Sequence, residues 1–206
     1  MALLLPGERP GRFWEVVLAT VVVLSLCALG CASTAAVQTR RLPPSVFQAA
    51  RIEARSYRPQ ARHDEGAALV EQSLHRAGLR FGTDGSTGAL WRYLSSAHRP
   101  IAPAQARPGD VLFFQTRAGW DPPDCERADH AGVVESVAGD GRIGFWEARG
   151  GLVRRSFVDP ARPTLRRTER GEIANSFLRA KAVDDEPSAR YFAGEMLCGA
   201  VRIVKR

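Results

Sequence analysis

The chain has 206 residues and four cysteines, at positions 27, 31, 125 and 198. A thiol can accept a lipid, attack a carbonyl, bind a metal or form half of a disulfide, and its surroundings decide which. No zinc-finger spacing is present, and no motif calls for a metal or a cofactor. Cys27 and Cys31 lie in an apolar N-terminal stretch. Cys125 and Cys198 lie far from both. Outside the cytoplasm, where disulfides persist, the latter two either pair or remain separate thiols, and the sequence leaves both outcomes open.

The N-terminal stretch explains the first two cysteines. Arg9 and Arg12 precede an apolar run over residues 16–29, broken only by Thr20 and Ser25. Small residues follow, from Gly30 to Thr34. A basic front, an apolar run and a small-residue end are the three parts of a secretory signal. The run is shorter than the ~20 residues that span a bilayer comfortably. Ala28-Leu29-Gly30-Cys31 resembles a bacterial lipobox, which implies cleavage before Cys31 and a diacylglyceryl group on its sulfur. Leucine is usual three positions before the cysteine; here that position holds Ala28, and Leu29 comes one place late. Three other outcomes fit the same residues. The signal is cut elsewhere and a soluble protein is released, residues 16–37 stay uncut as a tilted membrane anchor, or the stretch is a buried core helix. The expected organisation is a signal peptide over 1–30, a lipid-anchored tether over 31–61, a domain over 62–160 and a C-terminal extension over 161–206 that packs on it. The tether reading rests on Pro43-Pro44, several arginines and no clear periodicity.

Further along, apolar spacing predicts a helix over 65–77, with Ala67, Leu69, Val70, Leu74 and Ala77 on one face and Gly78 as its stop. A second helix is expected over 88–97, ended by Pro100 and Pro103. Arg107-Pro108-Gly109-Asp110 reads as a turn that opens onto a short buried strand, Val111-Leu112-Phe113-Phe114. Strands are expected over 130–137, 142–148 and 152–157, the first two joined by a hairpin turn at Gly139-Asp140-Gly141. Residues 162–185 read as polar loop with one amphipathic piece over 173–178. Residues 189–204 read as a closing helix, or as a helix followed by a strand. Helices followed by a run of antiparallel strands make the fold class α+β.

Charged residues make up 25% of the chain and hydrophobic residues 45%, which is ordinary globular composition. The net charge is +7, and among 29 basic residues only Lys181 and Lys205 are lysines. Arginine with abundant alanine and glycine fits a GC-rich coding bias better than an evolved anion site. A basic surface still favours anionic neighbours such as wall polymers. No aromatic residues interleave with a basic run, so nucleic acid is not an expected partner.

Several segments follow one another in a recognisable order: Ala67-Ala68-Leu69-Val70, Ala77-Gly78-Leu79, Arg107 to Phe114, His130-Ala131-Gly132-Val133-Val134 and Gly139-Asp140-Gly141. The series resembles the NlpC/P60 and CHAP group of papain-like cysteine peptidases and amidases, which cut peptidoglycan stem peptides. The resemblance covers roughly residues 62–158. It implies a papain-like core, with N-terminal helices packed on a small antiparallel sheet. It also implies a triad: a cysteine at the start of the first domain helix, where the helix dipole favours its thiolate, a histidine base at the head of a strand, and a third polar residue that orients the imidazole. His130 matches the base, and Glu147 the orienting group. The nucleophile position falls on Gly66, with Glu65 where an aspartate is usual. No cysteine lies between Cys31 and Cys125, and Ser73 would sit two turns inside the helix.

Losing the nucleophile of a triad removes most of the rate, on the order of 10⁶-fold in a well-studied protease. The resemblance therefore implies a degenerate copy. Three functions are carried forward. The first is a non-catalytic envelope lipoprotein that binds wall peptides or a partner protein. The second is an active peptidoglycan amidase or endopeptidase, in which Cys125, five residues before His130, acts as a migrated nucleophile. The third is a structural or assembly protein of the envelope that keeps the fold as a scaffold. Ala32 after Cys31 lacks the aspartate that retains many such lipoproteins at the inner membrane, so the outer membrane is the favoured address in a cell that has one.

Overall fold

Helix starts are set by local hydrogen bonding. In α1 (Val46–Ser56), Ser45 accepts from the Gln48 amide while the Gln48 side chain accepts from the Ser45 amide, a reciprocal cap on two otherwise unpaired donors. α2 (Glu65–Arg76) starts after Asp64. α3 (Thr87–Ala97) is capped by Ser86, and its first amide donates to the Asp64 carboxylate at 3.0 Å, which ties the starts of α2 and α3 together. These features come from a computed structural model that describes residues 44–59, 64–80, 82, 84–117, 122–186 and 189–204. The stretch expected to be a signal segment, and Cys31, lie outside the described residues.

The remaining elements are β1 (Arg99–Ile101), β2 (Val111–Phe114), β3 (His130–Val137), β4 (Ile143–Arg149), β5 (Leu152–Val158), α4 (Ala193–Met196) and β6 (Leu197–Arg202). The six strands form one antiparallel sheet in the order β1-β6-β2-β3-β4-β5. The fold is thus mixed α+β, with four α-helices among the described residues and a small antiparallel sheet.

Alternation along the strands divides the core in two. Val111, Phe113, Ala131 and Val133 face α1, α2 and α3, meeting Ala49, Val70, Leu74 and Leu90. Leu112, Phe114, Val134, Phe145 and Ala200 face the other way, onto Leu178, Ala193 and Met196 from the C-terminal segment. The β4–β5 hairpin closes at Gly150-Gly151, where φ is +63° and +75°, the pair of positive values that a tight two-residue hairpin turn requires.

Two expectations about organisation are corrected. Residues 46–56, assigned to the tether, form α1, whose Val46, Ala49 and Ala50 are buried against the domain. One compact unit accordingly spans Leu42–Arg206 rather than starting at residue 62. Nor do residues 161–206 only pack on a finished domain. β6 lies between β1 and β2 and supplies hydrogen bonds to both, so the sheet is incomplete without the C-terminal segment. The amphipathic piece over 173–178 is not a helix; it makes isolated bridges, Arg167 with Ile173 and Phe177 with Phe192.

Candidate functional site: a triad position without a nucleophile

β3 and β4 bring His130 and Glu147 together. Gly132 lies opposite Glu147 in the ladder, and His130, two residues earlier at the head of β3, is on the same face. The His130 Nε2 lies 2.5 Å from Glu147 Oε2. Glu147 is fully buried, and its other oxygen accepts from the Ser156 hydroxyl on β5 and lies 3.5 Å from the Arg149 guanidinium. Burial alone would push the Glu147 carboxyl up. The hydrogen bond and charge of His130, the Ser156 hydroxyl and the Arg149 charge outweigh that and hold it below the usual carboxylate value.

The start of α2 supplies the third corner. Its first residue, Glu65, reaches the β4–β5 turn, where its carboxylate accepts from the Gly150 amide at 2.5 Å and the Gly151 amide at 2.8 Å. This pins the helix end beside the pair. Gly66 comes next and faces the other imidazole nitrogen: a Cβ placed on it would lie 3.0 Å from His130 Nδ1. The structure therefore brings Gly66, His130 and Glu147 together, with Gly66 and Glu147 on the two nitrogens of one imidazole.

It also shows why Gly66 is not a neutral helix-start residue. The same Cβ would lie 2.6 Å from the Ala131 amide nitrogen and 2.9 Å from its carbonyl oxygen, both backbone atoms of β3. Carbon cannot approach a backbone nitrogen that closely, so any larger residue must lift α2 away from β3. Helix propensity favours alanine over glycine by about 1 kcal/mol, while overpacking a rigid contact costs about 1–3 kcal/mol, so the clash decides the sign. A thiol would need still more room. The position carries no nucleophile and leaves no space for one.

Cys125 does not replace it. Its sulfur is bonded to that of Cys198, with the two Cα atoms 5.2 Å apart. A disulfide sulfur offers no thiolate to an imidazole. The residue is also buried in the helix-side core beneath Trp91 rather than free in a loop. The migrated-nucleophile reading is thereby corrected for the disulfide-bonded protein.

The pair is closed off as well as incomplete. His130 is 8% exposed and Glu147 not at all. The two form an imidazole–carboxylate pair held in the sheet that presents no attacking atom. Sequence reading missed two of its partners, Ser156 and Arg149. Ser156 carries a faint signal, as the one small polar residue between Arg155 and Phe157 in a strand, and Arg149 carries none. Among the described residues no group of three or more His, Cys, Asp or Glu side chains is placed to hold a metal ion. No helix among them is long and apolar enough to cross a membrane. No protein-family model matches the chain, and no curated protein matches it.

Proposed function

We propose that this chain is an exported lipoprotein of the bacterial envelope, held by Cys31, with a papain-like domain of the NlpC/P60 and CHAP type that holds wall material or a partner and cuts nothing. The observation that carries the reading is the contact at Gly66, where the nucleophile and its space are both missing beside an intact His130–Glu147 pair. The Cys125–Cys198 disulfide supports export, because such bonds persist outside the reducing cytoplasm. Burial of the pair places the expected contact surface on the basic exterior.

Retention on purified peptidoglycan tests this. The full-length chain is expected to sediment with the wall above a control protein of matched charge, and His130→Gln with Glu147→Gln is expected to sediment equally well. No retention above the control overturns the binding role. Burial of the pair favours one further reading, in which the domain is a scaffold for envelope assembly, and failure of retention would move the weight there.

A further inference from the structure

The positive charge is not spread evenly over the surface. Beyond the His130–Glu147 pair, β4, β5 and the loop after them border a cavity of about 240 Å³ with five arginines: Arg149, Arg154, Arg166 and Arg167, and at its edge Arg155, which alternates onto the other face of the sheet. No carboxylate lines it. Arg149 is 3.5 Å from Glu147, and Arg155 pairs with Glu135 outside the cavity. The other three have no carboxylate partner among the described residues. Arg166 lies over the Phe177 ring, with its guanidinium carbon 4.8 Å from the centroid, and Arg167 donates to the Gly171 carbonyl at 2.6 Å. A neighbouring cavity of about 360 Å³ shows the contrast: there Arg142 is met by both Asp140 and Glu172.

The arginines come from separate pieces of chain that the fold holds rigidly. Asn175 is buried and bonds in three directions: its oxygen accepts from the Asp159 amide, and its nitrogen donates to the carbonyls of Arg162 and Leu165. Those bonds fix the loop that carries Arg166 and Arg167 against the end of β5. Ser176 accepts from the Phe157 amide at 2.9 Å and fastens the next turn to the same strand. Guanidinium groups gathered without counter-charges repel one another, and a shared oxyanion relieves that repulsion while matching their planar donor forks. Because the backbone that carries the arginines is set before binding, only their side chains need ordering. A coding bias toward arginine explains how many there are but not why they gather around a cavity.

We propose that this cavity is a binding site for a phosphate group carried on a small or extended organic chain. Its volume is below that of a drug-sized pocket, which suits a phosphate with a few attached carbons. The inference stands apart from the wall reading, since retention on peptidoglycan and phosphate binding can succeed or fail separately.

Calorimetry on the full-length chain in detergent, at low chloride, tests it with glycerol 3-phosphate and with poly(glycerol phosphate). Saturable binding of at least one is expected. Tighter binding of the free ester identifies a small metabolite-like ligand, and tighter binding of the polymer identifies a phosphodiester chain. Arg154→Gln with Arg166→Gln is expected to weaken binding by about tenfold or more, as loss of charged hydrogen bonds does. Arg51→Gln with Arg55→Gln, on the exposed side of α1, is expected to leave it unchanged. Absence of saturable binding, or equal weakening by the two double variants, overturns the proposal.

Discussion

Glu147→Ala is expected to lower the stability of the folded chain by about 3–5 kcal/mol, the usual cost of breaking a buried ion pair from one side. The carboxylate is fully buried, and three groups depend on it: the His130 imidazole, the Ser156 hydroxyl and the Arg149 guanidinium. Removing it strands the first two, while Arg149 keeps its bond to the Phe177 carbonyl at 2.8 Å. Replacing both members of the pair by apolar residues of similar size, His130→Leu with Glu147→Met, is expected to cost far less, because no unpaired charge is left behind. Acid should show the same dependence. The Glu147 carboxyl sits below its ordinary value in the folded chain, so its contribution is fully present above the ordinary carboxylate range. It is lost as pH falls below that range and through the folded value. Chemical denaturation between pH 3 and pH 7 checks this (that is, from about the ordinary carboxylate value of ~4.3 downward and upward): the acid limb should be shallower in Glu147→Ala. An unchanged limb would mean that the pair contributes nothing to folding.

Cys125→Ser is expected to remove about 4 kcal/mol, the chain-entropy value for a loop of this length, since the bond joins residues 73 apart in sequence. The bond pins the short 3₁₀ turn Cys125–Arg127 to β6, and α3 packs on that turn. A carbon added to Gly88 on α3 would lie 2.8 Å from the Glu126 carbonyl, so the two run in direct contact. Trp91 on α3 meets Phe113 edge-on at 5.2 Å beside the same bond. Thermal melts with and without reductant should differ for the natural chain and coincide for Cys125→Ser. A natural chain indifferent to reductant would show that the bond carries no stability.

Most strands were legible because their signals are local. β2 to β5 alternate or run apolar between turn residues, and their expected bounds agree with the observed ones within a residue or so. α1 was hidden because its buried stripe is made mostly of small residues, with Ala49 and Ala50 beside arginines and just after two prolines. β6 was one of two outcomes open for residues 189–204, a helix followed by a strand, but its place in the sheet was hidden, and so was β1, for a different reason. β1 carries Pro100, tolerated at a sheet edge, and its partner lies some hundred positions further on: Pro100 pairs with Val201. Such pairing is set by tertiary packing and leaves no local pattern.

The site divides in the same way. That position 66 holds no nucleophile is visible in the residues. That the space has closed is visible only as a distance, 2.6 Å from a hypothetical side chain to the backbone of β3. The arginine cavity could not be read at all, because it depends on Asn175 folding residues 166 and 167 back beside residue 154. Counting arginines gives a net charge and not its location.

The central claim is that position 66, beside the His130–Glu147 pair, is closed to chemistry, and peptide release from purified peptidoglycan tests it most directly. The full-length chain and its Gly66→Cys variant should both release no more muropeptide than buffer alone, the first for want of a nucleophile and the second for want of space. Release by the natural chain that disappears in His130→Ala would contradict the account.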